Sequence, residues 1–203
     1  MSPVTHLLVG WTVAVIAATG RRERALIALS GVAADLDGAG IVIDLATRKS
    51  SAPTELWGAW HHVVGHGIVA ALVVTAACAF LATRARTRVA VFAFISFQLH
   101  VLCDLVGARG PEGEQWPIVY FWPFADVGLT WDGQWALNAW PNFVITAALL
   151  IGALAVAWRL GFSPLEMVSV KANARMVETL RARFGVPSGL SAAGVDVNRA
   201  TDI

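Results

Sequence analysis

Charge is scarce in this sequence. Asp, Glu, Lys and Arg together make up 14% of its 203 residues, against about 25% in an ordinary soluble domain. Hydrophobic residues reach 57% and the mean hydropathy is +0.63, so the chain reads as an integral membrane protein. The formal net charge is only +1, and no basic patch interleaved with aromatics is present, so no nucleic-acid partner is expected. Cysteine is nearly absent. Cys78 and Cys103 lie inside apolar runs without a CxxC spacing, and both read as small packing residues. The opening MSPVTHLLVGW lacks a basic n-region and a small-residue cleavage site, so it is expected to be retained. No GxSxG motif, internal repeat or low-complexity tract occurs.

Apolar runs are what the chain has in quantity. A membrane helix needs roughly 20 mostly apolar residues, and the stretches 63–82, 89–106 and 143–160 satisfy that. The stretch 4–18 is short and carries His6, while 25–46 is long enough but holds Asp35, Asp37 and Asp44. That second stretch reads as a broken span or as a helix that stops near Asp35 and re-enters. Basic clusters orient the set. RRER at 21–24, RARTR at 84–88 and the Arg- and Lys-bearing tail share one side if there are five crossings, and the positive-inside rule makes that side cytoplasmic. The expectation is an all-α, polytopic helical bundle of four to five spans in the inner (plasma) membrane, with the N-terminus outside and the C-terminus cytoplasmic.

Between 107 and 142 lies a loop with Trp116, Tyr120, Phe121, Trp122, Phe124, Trp131, Trp135 and Trp140, besides the acidic Glu112, Glu114, Asp126 and Asp132. Such aromatics suit the headgroup layer, or a vestibule for a lipid-like substrate. The tail opens with Ser163, Pro164 and Glu166, a capping-box start. Leu165, Val168, Ala172, Met176, Leu180 and Phe184 then recur at helical spacing, which predicts an amphipathic helix over 163–185 lying on the cytoplasmic membrane surface. The organisation expected is a membrane-embedded domain over 1–162, that helix, and a loose tail over 186–203.

Ionisable side chains in apolar spans are costly, about 2.5–3.5 kcal/mol for a charge at helix centre. They persist where they are paired, hydrated or bound to metal. In the expected topology His6, His61, His62, His66, His100, Asp104, Asp35 and Asp37 all approach the outer face. His100 and Asp104 are i and i+4 on one helix face, and so are His62 and His66. His61 and His66, five apart, can share a site only if His61 lies at or before the helix start. Asp35 and Asp37 flank Leu36 in an acidic turn, and their carboxylates bind an ion or serve as counter-ions for Arg109. Mixed imidazole and carboxylate donors suit zinc, manganese or iron better than magnesium.

The motifs THLLVG, AADLDG, HHVVGH and LHVLCDLVGARG, with WPIVYFWPF after them, resemble in order and spacing the YdjM family of inner-membrane-associated metal-dependent hydrolases, also labelled LexA-binding. The resemblance covers roughly the first 165 residues. It implies a polar site of His6, Asp35, Asp37, His61, His66, His100 and Asp104, and a distant similarity to zinc-dependent phospholipase C. This sequence departs from the pattern at Ala34, where the family has proline, at His62, where it has arginine, and at Gly65, where it has threonine. The resemblance favours His61 as ligand, whereas helix spacing favours His62 with His66.

Together these readings predict a membrane-bound, metal-dependent hydrolase acting on a phosphoester or other ester near the outer face. Asp35, His61, His66, His100, Asp104 and His6 are the expected ligands of a divalent metal, zinc foremost and manganese or iron next. Asp37 is the expected general base, with His62 and Arg109 steadying phosphate or supporting the ligands. Membrane lipid is the expected surrounding, and a lipid-like or phosphoester compound the expected substrate. The rivals are a metal or proton transporter and a non-catalytic scaffold with a structural metal.

Overall fold

The computed structural model describes residues 1–17, 19–110 and 113–188. Ala18, Pro111 and Glu112, together with 189–203 of the expected loose tail, lie outside the described residues. All regular structure there is helical: α1 (Pro3–Ile16), α2 (Arg21–Ser30), a 3-10 turn (Ala33–Ala39), α3 (Gly40–Thr47), α4 (Leu56–Trp60), α5 (Ile68–Leu81), α6 (Arg86–Gly107), α7 (Trp140–Leu160), a second 3-10 turn (Pro164–Met167) and α8 (Val170–Phe184). The chain divides into a unit over Met1–Leu149 and a second from Leu150 onward.

In the first unit α6 packs against α1, α2 and α5. One apolar cluster joins Val13, Ala14, Ile27, Cys78, Val89 and Ala93, and another joins Ala34, Ala71, Phe97, Val101 and Ile118. Cys78 is thus a core packing residue, as its surroundings in the sequence suggest. Between the clusters the helices cross on small residues. A Cβ on Gly10 would stand 2.6 Å from the Ala28 carbonyl oxygen and 2.7 Å from Ser96 Oγ, and one on Gly31 would also meet Ser96 Oγ at 2.7 Å. Gly10 lies one turn from His6, and Ser96 one turn from His100, so this close approach sets the distance between the two imidazoles. Gly10→Val is expected to lower stability by about 1–3 kcal/mol through overpacking. Thermal melting in detergent measures it, and an unchanged melt would mean that the close approach at that position does not constrain the helices.

The two ends of the bundle differ in chemistry. Glu23, buried at the start of α2, accepts hydrogen bonds from Thr83 Oγ1 (2.9 Å) and from the Thr83 and Arg84 amides (both 3.2 Å). RRER and RARTR therefore meet at one end. His100 sits 14 residues along α6 from Arg86, about 21 Å at 1.5 Å per residue.

Span lengths correct the expectation of four to five. Among the described residues two helices, α6 and α7, are long and apolar enough to cross a membrane, or three if the run from α2 through α3, bent by 52°, counts as one. That bend is the break foreseen near Asp35. The α1 and α5 helices have 14 residues each, about 21 Å, short of a hydrocarbon core of about 30 Å. The stretch 63–82 becomes helical only at Ile68, because the His61–Gly67 segment folds as turns and His62 adopts a positive φ of 66°. Asp44, an anomaly in an apolar run, starts α4: its carboxylate accepts from the Leu56 amide (2.8 Å), the Trp57 amide (2.7 Å) and Thr54 Oγ1 (2.8 Å).

The aromatic loop has no strands among its described residues, only isolated bridges pairing Arg109 with Ala136 and Ile118 with Leu129. It lies over the His61–Gly67 turns, where Val119 N donates to the His62 carbonyl (2.9 Å) and Ile68 N to the Tyr120 carbonyl (2.8 Å). Asn142, at the start of α7, donates to the Gly107 carbonyl (2.9 Å) and fixes the end of α6.

In the second unit the capping-box start yields only the single 3-10 turn, with Ser163 Oγ accepting from Leu165 N (3.2 Å). The helix proper begins at Val170, capped by Ser169, because the Asn173 side chain accepts from both Ser163 N (2.8 Å) and Ser163 Oγ (2.9 Å) and ties the turn back. Val168, placed on the apolar stripe by spacing, is 86% exposed.

Candidate metal centre

Four segments converge on one point. His6 comes from α1, Asp35 and Asp37 from the first 3-10 turn, His61, His62 and His66 from the turns ahead of α5, and His100 and Asp104 from the last turns of α6. Asp104, 2% exposed, is the hub. Its Oδ1 lies 3.1 Å from His6 Nε2, and its Oδ2 lies 3.1 Å from His100 Nε2, 3.5 Å from His66 Nε2 and 4.0 Å from His62 Nε2. The amino group of Met1 also contacts Oδ1. Asp35 Oδ1 stands 3.6 Å from His100 Nε2.

Tautomers follow from the outer contacts. His100 Nδ1 lies 2.8 Å from the Gly31 carbonyl oxygen, which can only accept, so Nδ1 carries hydrogen. His66 Nδ1 lies 3.0 Å from Asp37 Oδ2 and donates to that carboxylate. In the neutral rings both Nε2 lone pairs then point inward, and the two nitrogens are 3.1 Å apart. Two lone pairs at that distance repel unless a proton or a metal ion stands between them, and orienting a metal-binding imidazole through its other nitrogen is the usual arrangement.

Ligand spacing passes a simple test. Bonds of 2.0–2.1 Å at octahedral to tetrahedral angles place neighbouring donors about 2.8–3.4 Å apart; three of the separations here are 3.1 Å, and those of Asp104 to His66 and of Asp35 to His100 are slightly longer at 3.5 and 3.6 Å. One donor atom from each of His6, Asp35, His100 and Asp104 falls within 4.8 Å of the others, and the same holds for His61, His62 and His66. The nitrogen and oxygen donors fit a zinc-type divalent ion.

Asp37 stands behind the histidines. Oδ1 accepts from His61 Nδ1 (2.9 Å), while Oδ2 accepts from His66 Nδ1 and from the Gly65 amide (2.8 Å). Gly65 is required at this approach, since a Cβ there would lie 2.4 Å from the Ala34 carbonyl oxygen and 2.8 Å from the Asp37 carboxylate. The threonine expected at this position by resemblance would not fit this backbone.

His62 and His66, in the turns outside the spanning helices, differ in charge. Burial beside the imidazoles of His66 and His61 pushes His62 down to about 3, so it stands neutral. Burial works against the charge on His66 as well, yet its bonds to Asp104 and Asp37 outweigh that and push it up to about 9. A neutral His62 cannot replace an arginine against phosphate. Arg109 Nη2 donates to the Asp132 carbonyl (2.8 Å).

A cavity of about 260 Å³ opens on the centre, with Asp35, His61, His62 and Asp104 at its polar base and Trp57, Trp116, Pro3 and Leu137 along its apolar walls. Trp57 stacks on His61 with ring centroids 5.0 Å apart and meets Trp116 edge-on at 5.1 Å. Sequence reasoning missed Trp57 as a wall residue, although it lies one helical turn before His61. It also missed Gln134, which donates to the Asp104 carbonyl (2.9 Å); no local pattern marks that contact. The aromatics of the loop divide: Trp116 faces the cavity, while Phe124 (81%) and Trp140 (74%) are exposed.

The fold and the site define a helical membrane protein with a buried histidine–aspartate centre able to hold a metal ion. The chain belongs to the family described as YdjM inner membrane protein, which it matches over residues 1–180. No curated protein and no solved structure matches it, and the similarity to zinc-dependent phospholipase C finds no support there.

Proposed function

We propose that this protein is a metal-dependent hydrolase of the membrane, acting on a phosphoester or other ester. The observation that carries the reading is the pair of inward-facing Nε2 atoms of His66 and His100, 3.1 Å apart beside the Asp104 carboxylate, which itself lines a cavity. His6, His66, His100 and Asp104 hold the ion, with Asp35 at the cavity edge. When bound, a zinc-type ion supplies Lewis acidity and lowers the pKa of a coordinated water toward neutrality.

The chain's own residues do the rest. Asp37 orients His66 and His61 through Nδ1 and has no oxygen to spare, which moves the role of general base from Asp37 to Asp35. Asp35 lines the cavity, its Oδ2 has no hydrogen-bond partner, and its side chain keeps 21% of its exposure. It takes the proton of the attacking water and passes it to the leaving oxygen. Trp57 and Trp116 exclude bulk water from that exchange.

The basic clusters lie at the opposite end of α2 and α6 from the centre, so the positive-inside rule puts the centre toward the outer face. Donors gathered at one end favour this reading over a conduit, which would carry them along both halves of a pathway. The test is turnover of bis(4-nitrophenyl) phosphate and 4-nitrophenyl acetate by detergent-purified protein, metal-free and loaded with zinc or manganese. Metal-dependent hydrolysis of either is expected. Metal-loaded protein that hydrolyses neither, nor any of a panel of phosphate mono- and diesters, would leave the ion a structural staple.

A further inference from the structure

Seven donor residues are more than one zinc-type ion takes, since such ions are almost always four-coordinate and catalytic sites keep one position for water. Two groups of them each close on their own, and His66 adjoins both, its Nε2 lying 3.1 Å from that of His100. The first, His6, Asp35, His100 and Asp104, is contributed by α1, the 3-10 turn and α6. The second, His61, His62 and His66, comes entirely from the turns ahead of α5. Each set closes within 4.8 Å on its own.

His62 argues that the second set serves a purpose of its own. Its backbone is left-handed, φ 66°, a conformation that costs a residue with a Cβ about 1–2 kcal/mol. The conformation sends the ring inward, where it is 3% exposed and its Nδ1 has no hydrogen-bond partner. A buried imidazole nitrogen without a partner carries a penalty of about 1–3 kcal/mol. Strain and an unpaired nitrogen together have no structural return, because a glycine or an asparagine at this position would make the same turn at lower cost. A ligated imidazole gives the return. The rings of His61 and His62 are 4.3 Å apart, and those of His62 and His66 are 4.5 Å apart, centroid to centroid. His61 spends Nδ1 on Asp37, which leaves Nε2 as its donor atom.

Asp104 lies between the sets. Its Oδ1 faces His6, and its Oδ2 faces His66 and His62 as well as His100. We propose that the centre binds two divalent ions, one held by His6 and His100 with Asp35 beside them at the cavity edge, the other by His61, His62 and His66, with the Asp104 carboxylate bridging them; His66 thereby passes from the single-ion set to the second ion. This rests on the metal-dependent reading above and extends it: His61 and His62 are both ligands, so the choice between them set by the sequence is resolved as neither alone. Paired ions joined by a carboxylate are the usual equipment for displacement at phosphorus, where one ion serves the attacking oxygen and the other the leaving oxygen. A two-ion centre therefore favours phosphoesters among the esters considered.

Stoichiometry decides it without recourse to activity. The detergent-purified full chain is stripped with chelator, titrated with Zn²⁺ and analysed by elemental mass spectrometry after desalting. Two zinc per chain are expected for the wild type, and one each for His62→Gly, which suits the left-handed backbone, and for His6→Ala. Zinc at one per chain in the wild type overturns the two-ion centre and leaves the single-ion hydrolase standing, and zinc at two in His62→Gly overturns the second site as drawn here, since His62 is then not a ligand. No zinc in the wild type sinks both. Should either variant fail to fold, the wild type loaded with two equivalents of Mn²⁺ still answers. An exchange-coupled multiline electron paramagnetic resonance spectrum is expected, whereas six-line signals of isolated ions overturn the proposal.

Discussion

Asp104→Asn is expected to weaken zinc binding at least a hundredfold, about 2.8 kcal/mol at 1.4 kcal/mol per decade. Outer partners of metal-bound histidines typically contribute 10- to 100-fold, and Asp104 stands inside that layer, so the upper figure is the floor for its loss. Among the described residues, its carboxylate is the group that touches His6, His66 and His100 at once, at 3.1, 3.5 and 3.1 Å. Asparagine keeps its size and its outer oxygen but removes the charge that balances a buried cation. The backbone carbonyl of residue 104 still accepts from Gln134, so α6 keeps its end. Competition with a chromophoric chelator gives the affinity, and gel filtration in detergent confirms the fold. Zinc bound as tightly as in the wild type would remove Asp104 from the centre and with it the hub on which the whole arrangement turns.

Asp35→Asn should lower kcat by about 100-fold or more, the usual range for a lost general base being roughly 10²–10⁴. Metal content should fall less than in Asp104→Asn, because Asp35 Oδ1 is the outlying donor at 3.6 Å from His100. The paired variant is Asp37→Asn. Both oxygens of Asp37 are occupied by His61, His66 and the Gly65 amide, so its loss acts through the orientation of the imidazoles: zinc affinity should drop about 10- to 100-fold, and turnover at saturating zinc should largely return. Full turnover in Asp35→Asn, with failure of Asp37→Asn even at saturating zinc, would exchange the two roles and restore the assignment that the sequence suggests.

That exchange shows where the sequence stops. Asp35 and Asp37 are two residues apart in AADLDG and look alike on paper. In the structure the 3-10 turn sends one toward the cavity and the other behind His61 and His66. Nothing local separates them, because the difference lies in which neighbours arrive from the turns ahead of α5, some 25 to 30 residues later. The His100–Asp104 pair was legible for the opposite reason. Its members share a regular helix, so i,i+4 spacing alone fixes their common face.

The sequence by itself determined the membrane class, the two long spans α6 and α7, the break near Asp35 and the identity of the residues that meet. Each of these depends on composition or on periodicity within one element. Tertiary structure alone decided that residues 61–67 fold as turns and not as the start of a span, that His62 points inward on a left-handed backbone, and that Arg109 turns to the Asp132 carbonyl. It also replaced a capping-box helix start with a single 3-10 turn tied down by Asn173. These features depend on contacts between segments distant in sequence: the loop backbone at Val119 and Tyr120 that holds the turns, and the carboxylate of Asp37 that collects two imidazoles. A side chain's direction is chosen by such partners, whereas its tendency to be in a helix is chosen by its neighbours along the chain.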